Sequence, residues 1–262
     1  MNDLLDLERY PIGSSDSPQA AALADRCRAE LSAQGMFNLD EIVKPAALVR
    51  AVSELEPLIE RVGYRHARRH NIYFDNHIPG LAADHPGLKQ VETVNYTLCG
   101  DQLLGTVVDH IYQWAPLAAF LARVMDKPAL YPMADPLARV NVMAYGPGEA
   151  LNWHFDRAQF TTTLLIQPAA AGGEFEYRSR LRSETEPNYA GVARLLRGED
   201  PEVRVQPLAA GSLNVFAGKN TAHRVTPVQG NRRRIIAVFS YFDRPGVTFT
   251  DAERIGFYGR AA

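Results

Sequence analysis

Between residues 139 and 243 the chain breaks into short runs of strand-forming residues separated by turns, and this pattern limits the folds open to it more than any other feature. "ARVNVMAYGPG" alternates, with Arg139, Asn141, Met143 and Tyr145 on one face of an extended segment and Val140, Val142 and Ala144 on the other. "FTTTLLIQ", "GEFEYRS", "VRVQPL", "GSLNVFAG", "HRVTPV" and "RRIIAVFSYF" follow, punctuated by turn signals such as "GPGE", "AAGG", "LAAG" and "QGN". Many short strands so divided predict a double-sheet jelly roll or a barrel. Strands do not alternate with helices, which argues against a doubly wound parallel sheet.

Before residue 130 helical spacing dominates. Residues 18–34 carry apolar positions at helical intervals and stop at Gly35. Pro45 suits the first turn of a helix running from Lys44 to Arg61. Residues 101–125 read as one long helix or as two, because Pro116 should kink or break it. "MFNLDEIV" is a short strand, "YRHARRHNIYFDNHIPG" is polar and aromatic with no clean period, and "NYAGVARLLRGEDPEV" is a short helix interrupting the strands. The expected architecture is α+β, mainly β with flanking helices. A helical N-terminal half (1–130) buttresses a jelly-roll core (131–245) with an insert near 178–205, and a C-terminal tail (246–262) completes one domain spanning 1–262.

Charged residues are 22% of the chain and the net charge is −2, so the broad basic field of a nucleic-acid binder is absent. No apolar run reaches the length of a membrane span, and "MNDLLDLERY" lacks the basic-then-apolar order of a signal peptide. Cys27 and Cys99 form neither a disulfide framework nor a metal-binding spacing. A reduced, cytoplasmic setting is the expectation.

Chemistry enters at "NWHFDRAQF". His154 and Asp156 stand two apart, so on a strand both point to one face and Phe155 points away. Alone, the pair is readable as a strand end with solvated polar residues. His223, at the start of a later predicted strand, adds a second imidazole. Two histidines and a carboxylate on one side of a metal form the facial triad of non-haem Fe(II) oxygenases, although catalytic zinc accepts the same donors. Arg232, Arg233 and Arg234 then run into the apolar strand "IIAVFSYF". A buried guanidinium demands an anionic partner, and arginine can grip a carboxylate with two parallel hydrogen bonds. Alternation lets Arg232 and Arg234 share a face; the opposing reading leaves all three exposed at a strand start.

Taken together, "HFD" (154–156), "GGEFE" (172–176), "GSLNVF" (211–216) and "HRVTPVQGNRRRIIAVFSY" (223–241) resemble the Fe(II)/2-oxoglutarate-dependent oxygenases, over most of residues 139–243 and in that family's order. The resemblance implies a double-stranded β-helix (a cupin-like jelly roll), Fe(II) on His154, Asp156 and His223, and 2-oxoglutarate and O2 as co-substrates. It implies that an arginine soon after the distal histidine holds the far carboxylate of 2-oxoglutarate. Arg234 is the choice, with Arg232 as rival, and Thr163 or Tyr145 assists. Related halogenases carry Gly or Ala where Asp156 stands, so the resemblance implies hydroxylation, with release of succinate and CO2.

More loosely, the length, the helical first half, "RRHNIYF" (68–74) and the segment 188–218 resemble small standalone amino-acid hydroxylases and radical halogenases. The implied substrate is a free, basic L-amino acid such as lysine, with Arg68, Arg69, His70, Asn71, Asn152 and Trp153 as candidate substrate-binding residues. "RHARRHN" is equally readable as a solvated basic turn, and Trp153 as plain core. "RSRLRSE" (178–184) reads as a solvated strand face or as a strip for an anionic polymer, which keeps a protein, nucleotide or carrier-bound substrate as the alternative. A non-enzymatic metal-binding jelly roll is the third reading. The helix near 188–197 is a candidate lid, and the N-terminal helices offer a candidate homodimer face.

Overall fold

Ser17 opens the first helix by accepting a hydrogen bond from the Ala20 amide, Pro18 follows in its first turn, and Gly35 closes it at φ 78° with its N–H on the Leu31 carbonyl. The computed structural model describes every residue except Ser15, Asp16, Asn76 and Pro79. Its helices are α1 (Pro18–Gln34), α2 (Pro45–Val62), α3 (Val107–Tyr112), α4 (Ala115–Val124), α5 (Tyr189–Leu196) and α6 (Asp251–Tyr258). Its strands are β1 (Met36–Leu39), β2 (Tyr64–His70), β3 (Val91–Leu98), β4 (Tyr131–Pro132), β5 (Val140–Tyr145), β6 (Leu151–His154), β7 (Thr161–Gln167), β8 (Ala171–Gly172), β9 (Phe175–Arg178), β10 (Arg204–Gln206), β11 (Leu213–Phe216), β12 (Ala222–Val225), β13 (Val228–Gln229), β14 (Arg234–Phe239) and β15 (Tyr241–Phe242).

Two antiparallel sheets face each other in the expected jelly roll. The larger has the order β1-β11-β7-β14-β5-β3-β2, the smaller β10-β9-β12-β6. Alternation divides the large sheet as predicted. Val140, Val142, Ala144, Leu164, Ile235 and Ala237 face outward onto the helices, meeting Ala47, Ala51, Leu55 and Ile59 from one stripe of α2. The inner face meets the small sheet through Met36 and Phe216 against Phe175 and Tyr177 at one end. At the other end Leu165 and Ile236 pack with Leu151. Each such fully buried aliphatic or aromatic side chain stabilises the fold by roughly 1.5–3 kcal/mol relative to exposure.

The structure revises several expectations. The first half is less helical than expected: besides the expected short strand β1 it supplies β2 and β3 to the large sheet. "YRHARRH" is the edge strand β2, paired with β3 from Tyr64↔Thr97 to His70↔Val91. An edge strand rich in Arg and His resists pairing with another chain, which accounts for its missing apolar period. Of the two readings of residues 101–125 the structure takes the pair of helices, with Pro116 in the first turn of α4, separate from α3. "RSRLRSE" forms no strip of arginines. The strand ends at Arg178, which pairs with Asp200 and Glu202 at 3.1 and 3.0 Å. Arg180 turns at φ 53°, and Arg182 lies 3.9 Å above the Phe155 ring. No helix among the described residues is long and apolar enough to cross a membrane.

Candidate active site

Strands β6 and β12 pair with His154 directly opposite His223, so both imidazoles enter the space between the sheets. Their ring centroids are 4.1 Å apart. Strand β6 ends at His154, and Asp156 lies just beyond it, its amide on the Gly218 carbonyl at 3.1 Å. The alternation nevertheless holds: Phe155 turns away into a cluster with Ile72, Leu181, Val192 and Leu195. The Asp156 carboxylate lies 3.5 Å from Nε2 of His154 and 3.5 Å from Nε2 of His223. One donor atom from each of the three residues falls within 4.8 Å of the others, and no other such group of three occurs among the described residues.

The neighbours prepare these donors. His154 Nδ1 lies 2.8 Å from the Asn152 carbonyl and His223 Nδ1 3.0 Å from the Thr221 carbonyl. Each Nδ1–H donates to a carbonyl two residues back, which leaves the Nε2 lone pair for a metal. Burial pushes the His223 imidazolium down to about 4, helped by His154 and opposed by Asp156, so the ring is neutral at pH 7. Burial alone would raise the Asp156 carboxyl. His223 and His154, with a hydrogen bond from Thr161, hold it well below the usual carboxylate range. Two imidazoles with Nε2 turned to one point and one carboxylate fit Fe(II).

Arg234 opens β14 directly opposite Tyr145. It is 2% exposed, and its Nε donates to the Gly173 carbonyl at 2.9 Å. Its Nη1 is buried with no hydrogen-bond partner among the described residues. Burial pulls this guanidinium down to about 10 and raises the Tyr145 phenol to about 12. A buried cation with an unused donor is costly unless an anion joins it, and the residue therefore fits a bound carboxylate. Arg232 is exposed, with Nη2 on the Ala169 carbonyl at 3.0 Å. Thr163 is buried on the inner face, its hydroxyl 3.4 Å from the Asn214 carbonyl.

A cavity of about 310 Å³ opens beside the triad, lined by β2, β3, β5 and the segment that follows β15. Arg68 lines it, half-buried, with its guanidinium carbon 4.9 Å from the Phe74 ring and 5.6 Å from the Phe257 ring. The other candidate substrate residues do not present free groups to it. Arg69 alternates to the outer side and is exposed. His70 lines the cavity but uses both nitrogens internally, on the Asn71 carbonyl and the Thr93 hydroxyl at 3.0 and 2.7 Å. Asn71 is buried and ties its own loop, accepting from the Tyr73 and Asp75 amides and donating to the Asp75 carbonyl. That loop holds Phe74 at φ 54°, a left-handed conformation costly for a bulky residue, where its ring stacks on His70 at 4.5 Å. Asn152 stitches β6 to β3 through the Glu92 carbonyl at 2.6 Å. Trp153 packs on the outer cluster with Phe155, under Arg224.

Three contributors had no sequence signal. Thr161 bonds Asp156. Gly218 leaves room for that carboxylate, since a Cβ there would overlap Asp156 Oδ2. The C-terminal segment supplies Phe249, Phe257 and Tyr258 as cavity wall. The insert helix α5 is no lid over this cavity: it buries Val192 and Leu195 against Phe155 on the outer side of the small sheet.

A double-stranded β-helix that presents two histidines and one carboxylate to a single point, with a buried arginine nearby, is the frame typical of Fe(II)/2-oxoglutarate-dependent oxygenases, and the residues present fit that metal and co-substrate. The Halogenase D family model (HalD) matches residues 19–248, and the chain belongs to that family. Among solved structures, the non-haem α-ketoglutarate-dependent epimerase SnoN from nogalamycin biosynthesis is similar with a TM-score of 0.58 at 12% identity, over 85% of this chain and 82% of that one. AviO1 from Streptomyces viridochromogenes Tue57 gives 0.57 at 18% identity, over 85% and 96%. A Pseudomonas putida prolyl-4-hydroxylase gives 0.52 at 16% identity, over 87% and 100%. At these identities the likeness shows the fold. No curated protein sequence matches the chain.

Proposed function

We propose that this oxygenase hydroxylates an unactivated C–H bond of a free L-amino acid. The observation that carries the reading is the retained Asp156: its carboxylate lies between two metal-ready imidazoles and is held there by Thr161 and by the space that Gly218 leaves. With this carboxylate as third protein ligand, hydroxylation is favoured over the halogenation in the family's name. His154, Asp156 and His223 would hold Fe(II). Arg234, opposite Tyr145, would hold the far carboxylate of 2-oxoglutarate, because its unused donor is buried where no anion of the described residues meets it. The bound metal and co-substrate supply oxidising power: O2 is split between succinate, formed with loss of CO2, and the new hydroxyl group.

Arg68 would anchor the substrate carboxylate with donors that no carboxylate among the described residues engages, while the aromatic walls exclude water. A macromolecular substrate loses its main support with the missing arginine strip. The test is aerobic incubation with Fe(II), 2-oxoglutarate, chloride and a panel of free L-amino acids, read by mass spectrometry. A product heavier by one oxygen, lost in Asp156→Ala, is expected. A chlorinated main product overturns the hydroxylase assignment, and no amino-acid product with continued succinate formation overturns the substrate assignment.

A further inference from the structure

We infer that the substrate's side chain is apolar, and that the cavity rejects the basic amino acids suggested by the sequence. This rests on the amino-acid reading above. Among the described residues lining the cavity the sole carboxylate is Asp156, which the metal claims. A lysine or ornithine ammonium brought inside would lack a counter-charge, and an unpaired buried charge is strongly disfavoured.

The charge that is present has the opposite sign. Arg68 lines both the inner cavity and an outer one of about 370 Å³, where Arg157, Glu253 and Phe257 also contribute. Glu253 is already paired with Arg157 at 3.2 Å. Arg68, desolvated and repelled by Arg157, is held between the Phe74 and Phe257 rings with no ion pair among the described residues. A molecule passing from the outer to the inner space therefore meets an uncommitted guanidinium, which suits a carboxylate.

Beyond that anchor the walls are Phe74, Phe160, Phe242, Phe249 and Phe257, with Met143 and Leu151. Neutral acceptors remain for an α-ammonium. The side-chain oxygens of Asn95 and Asn141 each accept one hydrogen bond, from Thr97 and Tyr258 at 2.9 and 2.8 Å, and a carbonyl oxygen can accept a second. Carboxylate anchor, amide acceptors and an aromatic enclosure of about 310 Å³ together describe an amino acid with a hydrocarbon, thioether or aromatic side chain.

The experiment is calorimetric titration of the Zn(II)- and 2-oxoglutarate-loaded, redox-inert enzyme with L-leucine, L-methionine, L-phenylalanine, L-lysine and L-ornithine. At least one apolar amino acid should bind, about tenfold or more tighter than either base. Arg68→Gln should weaken it by about ten- to hundredfold, Arg68→Lys by less, and the outward-facing Arg69→Gln not at all. Equal or tighter binding of lysine, no binding by any apolar amino acid, or equal effects of Arg68→Gln and Arg69→Gln overturns the inference. Arg68-dependent binding of an apolar amino acid that the Fe(II) enzyme then leaves unoxidised would overturn the hydroxylase reading and uphold this one. Lysine hydroxylation would do the reverse.

Discussion

Asp156 shows how narrow the tolerances are at the scale of one residue. Its carboxylate accepts from Thr161 and sits where a side chain on Gly218 would collide with it. Gly218→Ala is therefore expected to lower Fe(II) affinity by about ten- to hundredfold, the usual cost of disturbing a ligand's supports, with little change in far-UV circular dichroism; unchanged affinity would show that the carboxylate is not held by that space. Arg234 gives a second residue-scale prediction. Its buried charge has an unused donor, so Arg234→Gln should not lower the melting temperature of the free protein. The variant should lose the rise that 2-oxoglutarate gives the wild type and raise the KM for 2-oxoglutarate by about tenfold or more. A destabilised variant with unchanged KM would make Arg234 a purely structural cation. The triad of both histidines and the aspartate was legible in the sequence because metal chemistry restricts the residue types that can serve, and Arg234 stood out as a cation entering an apolar strand. Thr161 and Gly218 were not, since a threonine or glycine supports a site only through contacts made far along the chain.

At the scale of elements, the C-terminal segment matters most to the cavity. Asp135, 0% exposed, binds it from below: its carboxylate accepts from the Phe249 amide and Arg254, while also capping its own turn through the Leu137 and Ala138 amides. Burial opposes ionisation, but Arg254 and these three amides hold the carboxyl below its ordinary value. A depressed carboxyl stabilises the fold fully above the unfolded-chain pKa, about 3.9, and that contribution disappears as pH falls through the lower folded value. Asp135→Asn should cost about 2–4 kcal/mol at neutral pH, flatten the loss of stability below pH 4, and speed amide exchange across residues 247–258. Wild-type exchange there would mean that other contacts, such as Arg260 on Asp101 at 2.7 Å, suffice. Strand β3 belongs to this scale too. "VETVNYTL" escaped sequence reading because its inward residues Thr93, Asn95 and Thr97 are polar, the reverse of the apolar-in pattern of a core strand.

For the whole molecule, the metal site joins two strands of the small sheet to a loop fixed by the large one. Fe(II) bound there would favour the folded state over the unfolded chain. Chelation is expected to lower the melting temperature of the loaded wild type by several degrees and to leave Asp156→Ala unaffected; equal behaviour of both proteins would place the stabilising metal elsewhere.

The sequence by itself determined the class of fold and the three residues that meet as a metal-ready triad. Period-two alternation dictates which side of each strand is buried, and few side chains can ligate iron or grip a carboxylate. Tertiary structure alone decided what surrounds those residues. It turned "YRHARRH" into an edge strand, aimed Arg68 inward and Arg69 outward, moved α5 to the far side of the small sheet and brought residues 249–258 against the cavity. The reason is physical: a pocket's wall is a set of contacts between distant segments, and no local period encodes which segment closes over a site.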